Sequence, residues 1–138
     1  MCSSDLQLLN AYGLIEGTSV VTMTRIGDSE DIRLNTVGRP IPGVEIKIVD
    51  QTTKKTLPHG EIGELAVRGY NMKEYYNQPE KTSEVIDDEG WLYTGDLAKY
   101  YDKENISIVG RCKVVLAFFL LMFCISEIIL TTDRKSVV

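Results

Sequence analysis

The chain has 138 residues, of which 25% are charged and 43% are hydrophobic, a composition that predicts one globular soluble domain and excludes a disordered chain. Its net charge of −5 excludes a nucleic-acid-binding surface, because no basic face is available to replace the counterions of phosphates. The cysteines Cys2, Cys112 and Cys124 have neither disulfide nor zinc-site spacing, which favours reduced thiols in the cytoplasm.

The two ends of the chain are excluded from the fold prediction. Residues 1–6 read MCSSDL and the last six residues read DRKSVV. Both resemble translated sequencing-adapter DNA, so we interpret them as artefacts. Residues 1–6 also lack the basic segment and apolar core of a signal peptide. Nucleotide sequence that differs from adapter DNA at both ends would contradict this interpretation.

The first apolar segment ends in a glycine-containing loop in which Tyr12, Gly13 and Glu16 are close in sequence. An aromatic ring beside such a loop could stack on a planar base, and a carboxylate could reach Mg²⁺ bound to phosphates. The alternative is a core tyrosine and an exposed loop glutamate. Residues 19–24 favour a short strand, and residues 25–36 predict a polar loop.

The central segments predict a hairpin preceded by an edge segment. Residues 37–43 read VGRPIPG, and two prolines without amide donors predict that they cross or edge a sheet. Residues 44–50 alternate as in a half-buried strand, residues 61–69 alternate as well, and the two strands are expected to pair. Between them, His59 lies in a Pro-His-Gly sequence that favours an exposed turn over a catalytic base.

Residues 91–97, WLYTGDL, predict a strand that turns at Gly95 and presents Asp96 with no base nearby in the sequence. An ionised carboxylate there could accept both hydroxyls of a ribose; an ordinary turn aspartate is the alternative. Upstream, Asn-Gln-Pro at 77–79 predicts a capping amide and the start of a short surface helix. Downstream, residues 106–109 predict a returning strand.

The composition changes at residue 114. Residues 114–126 carry no charge, and Glu127 interrupts the apolar run. Because a membrane span needs about 20 apolar residues, we expect a frameshift or chimeric join near Lys113, and a weak membrane helix is the alternative.

Three motifs now stand in order: NAYGLIEGT at 10–18, WLYTGDL at 91–97 and IVGRCK at 108–113. Together with GRPIPGVEIKIVD, GEIGELAVRGYN and YYNQPEKT between them, they resemble the adenylate-forming superfamily, and most nearly its fatty-acyl-CoA ligases. The resemblance implies a mainly β fold, a distorted antiparallel β-barrel subdomain with a short surface helix, inside a larger α/β enzyme. Residues 7–112 would be the C-terminal part of the large AMP-binding domain, followed at 113–138 by a hinge residue and an unrelated apolar tail.

The resemblance also implies roles for particular residues. Tyr12 would stack on adenine, Glu16 would help hold Mg²⁺, and Asp96 would bind both ribose hydroxyls. Gly13 and Ile15 belong to the same nucleotide-binding segment, where Ile15 replaces a threonine whose hydroxyl usually contacts the α-phosphate. The last motif supplies Arg111 near the ribose and phosphate, and Lys113 as the hinge.

The implied reaction has two steps. A carboxylic acid, expected to be a fatty acid, attacks the α-phosphate of ATP to give acyl-AMP, and coenzyme A then displaces AMP. The family's upstream phosphate loop and C-terminal lysine are not found in the chain, so we expect the chain alone to be inactive. The alternative function is a non-catalytic β module with idle nucleotide motifs, tethered by the apolar tail.

Overall fold

A computed structural model describes residues 8–112 and shows a mainly β chain. The strands are β1 (Ala11–Leu14), β2 (Ser19–Met23), β3 (Arg39–Pro40), β4 (Glu45–Val49), β5 (Gly63–Arg68), β6 (Leu92–Tyr100) and β7 (Ile106–Arg111). The helices are α1 (Glu30–Asn35) and α2 (Pro79–Val85), and a 3₁₀ turn covers Ile15–Gly17. All strand pairs are antiparallel, which confirms the predicted fold class.

The strands form two sheets in which each strand pairs with its neighbour in sequence. One sheet has the order β1-β2-β3 and the other β4-β5-β6-β7. Within residues 8–112 the sheets do not close into the expected barrel. Strand β3 is only two residues long and includes Pro40, which has no amide to continue a ladder.

Backbone hydrogen bonds nevertheless join the two sheets. The amide of Val37 donates to the carbonyl of Ile106 at 2.9 Å, and the amide of Ile106 donates to the carbonyl of Gly38 at 3.0 Å. A common core fills the interior, with Val21, Val44, Ile48, Leu65, Val67, Ala98 and Ile106 all buried. Burial of this apolar surface is the main source of stability.

The predicted hairpin of β4 and β5 is confirmed, with a register that runs from Glu45 opposite Arg68 to Val49 opposite Glu64. Strand β5 differs from a half-buried strand. Leu65 lies on one face at 0% exposure, and Glu64 on the other face is only 7% exposed. Because β5 is central in its sheet and both of its faces are covered, a carboxylate is buried there along with the apolar side chains.

The prediction of a polar loop at residues 25–36 is wrong in part, because α1 lies within that segment. The Ser29 hydroxyl accepts a hydrogen bond from the amide of Ile32 at 3.3 Å, and Glu30 and Asp31 occupy the first turn, where carboxylates favour a helix. With six residues, α1 is too short to show an apolar periodicity.

The surface helix α2 is confirmed and has no buried residue. Its predicted capping amide is wrong: the side chain of Gln78 makes no cap hydrogen bond. The Thr82 hydroxyl, in the first turn of α2, accepts from the amide of Tyr75 in the preceding segment at 3.0 Å. His59 is exposed in its turn, as predicted, and stacks on the ring of Tyr100.

In the described range, no helix is long and apolar enough to cross a membrane. Several sequence predictions fall outside that range. They concern both termini, the apolar segment 114–126, and Lys113.

Candidate functional site

A bulge in β6 positions Asp96. The register between β5 and β6 shifts so that Leu65 alone lies opposite Thr94, Gly95 and Asp96. Gly95 has φ +72, a backbone conformation that favours glycine, as expected for the predicted turn. The Thr94 hydroxyl donates to the carbonyl of Leu65 at 2.9 Å and accepts from the amide of Asp96 at 3.2 Å. The bulge is therefore fixed to the neighbouring strand.

The Asp96 carboxylate has a hydrogen-bond partner on each oxygen. Tyr12 Oη donates to Oδ2 at 2.6 Å, and Arg111 Nε donates to Oδ1 at 2.8 Å. The Asp96 side chain is only 9% exposed. The expectation that no base lies near Asp96 is wrong in three dimensions, because Arg111 is its register partner across β6 and β7. The ion pair also raises the pKa of Arg111, chiefly through this hydrogen bond.

Tyr12 reaches Asp96 from the other sheet. It lies on β1, is half-buried, and packs against the core. Burial raises the pKa of the Tyr12 hydroxyl, and the hydrogen bond to Asp96 raises that pKa further. At neutral pH the hydroxyl therefore keeps its proton and acts as a donor.

We expect Tyr12→Phe to reduce the loss of stability at alkaline pH. A pKa that is raised in the folded state contributes stability that is fully present below about pH 10, the ordinary tyrosine value, and is lost as pH rises through the folded-state pKa. Urea unfolding between pH 8 and pH 11 measures the effect. Tyr76→Phe is the control, since Tyr76 is 87% exposed. An identical alkaline loss in the wild type and Tyr12→Phe would contradict the assigned contact.

Glu16 is held by the segment that precedes α2. Tyr75 Oη donates to Glu16 Oε1 at 3.0 Å, and the amide of Met72 donates to the carbonyl of Glu16 at 2.7 Å. The Thr18 hydroxyl donates to the carbonyl of Tyr70 in the same region. Glu16 is thus half-buried and hydrogen-bonded, unlike the exposed loop glutamate that was its alternative.

The donor set around Glu16 fits Mg²⁺ only if other ligands come from outside the protein. No group of three or more histidine, cysteine, aspartate or glutamate side chains with metal-site geometry occurs in the described residues. Mg²⁺ is commonly held by one or two carboxylates together with substrate phosphates and water. Glu16 could supply one such carboxylate, because its hydrogen bond from Tyr75 uses only Oε1.

A cleft of about 380 Å³ lies beside these groups. It brings together Glu16 and Arg111, two of the residues singled out from the sequence. Sequence reasoning missed several other polar lining residues, namely Lys54, Glu64, Tyr75, Tyr93 and Thr94. One signal was available: Glu64 is an acidic residue inside an apolar strand, where a charge needs a partner.

Gly13 and Ile15 line a second depression next to the cleft, and Leu14 lines both. A Cβ atom added to Gly13 would lie 1.6 Å from the carbonyl oxygen of Ser19, so the two backbone segments approach too closely for any side chain. Ile15 is 94% exposed and has no role in the core. A shallow depression of about 630 Å³ is lined by residues 11–15 and 18–20.

Comparison with known proteins gives consistent matches. A family model described as AMP-binding enzyme matches residues 1–76. Putative acyl-CoA synthetase YngI of Bacillus subtilis is 43% identical over 107 residues, which are 77% of this chain and 20% of YngI. Luciferin 4-monooxygenase of Nipponoluciola cruciata is 40% identical over 108 residues, which are 78% of this chain and 19% of that enzyme.

A solved structure agrees in fold. The crystal structure of ATP-bound MatB from Rhodopseudomonas palustris matches with a TM-score of 0.68 and 36% identity, over 75% of this chain and 20% of MatB. The chain thus spans about a fifth of the length of the relatives that it matches.

Proposed function

Because the chain belongs to the AMP-binding enzyme family of the adenylate-forming superfamily, we propose that it supplies nucleotide-binding residues to an ATP-dependent, AMP-forming acyl-CoA ligase. The observation that carries the proposal is the Asp96 carboxylate beside the cleft, with one hydrogen-bond donor on each oxygen. A carboxylate oxygen can accept two hydrogen bonds. Asp96 therefore keeps one acceptor position on each oxygen for the two hydroxyls of a ribose.

The groups around Asp96 suit the rest of a nucleotide. Tyr12 would present its ring to adenine while its hydroxyl orients Asp96. Arg111 uses Nε for Asp96, and its side chain is 70% exposed. Its terminal amino groups could then contact phosphate, for which the planar guanidinium is well suited.

Glu16 is the proposed protein ligand of Mg²⁺. The bound ion would neutralise charge on the ATP phosphates. The contribution of the chain itself is to orient the Glu16 carboxylate through the hydroxyl of Tyr75, while the amide of Met72 holds the backbone carbonyl of Glu16.

The proposed reaction joins a carboxylic acid to coenzyme A through acyl-AMP. The relative named as a putative acyl-CoA synthetase supports an acyl substrate, and we propose that this substrate is a fatty acid. We also propose that residues 1–138 alone carry out no ligation, since they match only about a fifth of the length of the relatives. The reducing cytoplasm is the proposed compartment, on the basis of the cysteine pattern.

Titration of the chain with AMP, followed by the NMR signals of its backbone amides, tests the proposal. Binding should shift the amides of Gly95, Asp96 and Arg111 in a saturable way, and adenine without ribose should bind more weakly. A non-catalytic module with idle motifs would leave these signals unchanged. Unshifted signals in a chain whose spectrum shows a folded protein would therefore reject the ligase assignment.

Ile15→Thr is expected to strengthen ATP binding. A hydroxyl that reaches a charged phosphate would contribute on the order of 1–3 kcal/mol, and the change should cost little stability because Ile15 is 94% exposed. Isothermal titration with ATP and with adenosine measures the effect, which should be confined to ATP. Ile26→Thr, at another exposed isoleucine, should change neither affinity. Equal ATP affinity in Ile15→Thr and the wild type would mean that this position does not face the phosphates.

A further inference from the structure

Glu64 is a buried carboxylate on β5, one of the two inner strands of the larger sheet. It lies on β5, is 7% exposed, and occupies a position where an apolar side chain would be less costly. A buried charge is tolerated only when it is paired and hydrogen-bonded. The hydrogen-bond partners of Glu64 therefore indicate the role of its charge.

Both oxygens of Glu64 have a partner. Oε1 accepts from the backbone amide of Gly95 at 3.0 Å, and Oε2 accepts from Lys54 Nζ at 2.5 Å. The bulge in β6 removes Gly95 from the regular pairing of β5 and β6. The Glu64 carboxylate thus accepts the hydrogen bond that a backbone carbonyl of β5 would accept in a regular ladder.

Lys54 reaches Glu64 from the turn that follows β4. Its own backbone amide donates to the carbonyl of Asp50 at 3.0 Å, and Nζ also lies 4.5 Å from the ring centre of Tyr93. The Lys54 side chain is 40% exposed, so the pair has one buried and one partly solvated member. Lys54 can neutralise Glu64 without being buried itself.

We propose that Glu64 is a positioning residue for Asp96, and that the ion pair with Lys54 holds the Glu64 side chain in place. The peptide between Gly95 and Asp96 follows directly after the amide that Glu64 binds. A fixed Gly95 amide therefore fixes the direction in which the Asp96 side chain projects from β6. The consequence for ribose recognition rests on the proposed function, whereas the effect on the bulge does not.

The hydrogen bonds of Thr94 do not make Glu64 redundant. The Thr94 hydroxyl bonds to the carbonyl of Leu65 and to the amide of Asp96, but it does not contact the amide of Gly95. Since Gly95 has φ +72 and a Cβ atom there would meet nothing within 4 Å in the described residues, packing does not restrain its peptide. The restraint on the Gly95 amide comes from its hydrogen bond to Glu64.

The test uses Glu64→Gln, Glu64→Ala and Lys54→Met in the full chain. Glutamine keeps an acceptor for the Gly95 amide and alanine does not.

The measured quantity is the ratio of affinities for AMP and 2′,3′-dideoxy-AMP, which reports the orientation of Asp96 rather than general stability. We expect Glu64→Ala to lower this ratio about tenfold, the loss of one hydrogen bond to a charged group, and Glu64→Gln to change it less than threefold. Lys54→Met should fall between them.

Glu45→Ala is the matched control, because Glu45 forms an exposed ion pair with Arg68 between β4 and β5. It should leave the ratio unchanged. An equal loss of affinity for both nucleotides in Glu64→Ala would overturn the positioning role.

The NMR signal of the Gly95 amide gives a second readout that needs no nucleotide. It should move upfield in Glu64→Ala and remain near its wild-type position in Glu64→Gln. An unmoved signal in Glu64→Ala would overturn the proposal even if AMP binds. Failure of the wild type to bind AMP would instead refute the proposed function and leave the amide result to decide this inference. Should Glu64→Ala fail to fold, Glu64→Gln and Lys54→Met still provide both readouts.

Discussion

Asp96→Ala is expected to weaken AMP binding at least a hundredfold. The change removes the acceptor of two charge-assisted hydrogen bonds from the ribose, each contributing roughly 1.5–3 kcal/mol. It also leaves Tyr12 and Arg111 without the carboxylate that each contacts. Isothermal titration of both proteins with AMP measures the difference.

A nucleotide without ribose hydroxyls separates recognition from folding. 2′,3′-Dideoxy-AMP should bind the wild type poorly. Asp96→Ala should lower the affinity for this nucleotide little further, because the hydroxyls that the carboxylate would bind are already absent. Lys99→Ala, at an exposed position on the same strand, should not affect either ligand. Should Asp96→Ala weaken both nucleotides equally, the carboxylate would be holding Tyr12 and Arg111 together instead of binding ribose.

Gly13→Ala is expected to destabilise the fold by about 1–3 kcal/mol or more. The new Cβ atom would lie 1.6 Å from the carbonyl oxygen of Ser19 and 2.9 Å from the Cα atom of Val20, both backbone atoms that a rotamer change cannot displace. Relief requires β1 and β2 to separate at the irregular register between Tyr12 and Gly13, and overpacking of this kind costs up to several kcal/mol. Urea unfolding measures the change.

Gly110→Ala is the control for the general effect of replacing a glycine in a strand. Gly110 is exposed on β7, and an added Cβ atom would meet nothing within 4 Å in the described part of the chain. Its free energy of unfolding should stay within about 0.5 kcal/mol of the wild type. Equal losses in the two variants would mean that the close approach to Ser19 does not decide the outcome.

The strands could be predicted because the alternation of apolar and polar residues shows which face of each strand is buried. β4 and β7 appear in the sequence close to their final bounds. Helix α1 was missed because it buries no residue and so leaves no apolar period. Barrel closure could not be predicted from the pattern, because alternation does not report how separate sheets join.

The pairing of Asp96 with Arg111 shows why the site itself was harder to predict. Near the turn, β6 and β7 pair as Tyr100 with Ile106 and Ala98 with Ile108. Continuing that count would place Asp96 opposite Gly110. An irregularity between Leu97 and Ala98 shifts the register by one residue and places Arg111 there instead. Motifs identified both residues, but a bulge that the sequence does not reveal brought them into contact.

The position of Tyr12 and Asp96 on different sheets has a consequence for how the site responds to changes elsewhere. Their 2.6 Å contact depends on the spacing between the two sheets, which the hydrogen bonds of Val37 and Ile106 help to set. Protein interiors transmit strain because they are densely packed. A change of volume at Val21, which is buried between the sheets and belongs to no motif, would therefore alter the distance between these two side chains. The proposed nucleotide affinity would then depend on the packing of the interior, and substitutions that change this affinity need not contact the ligand.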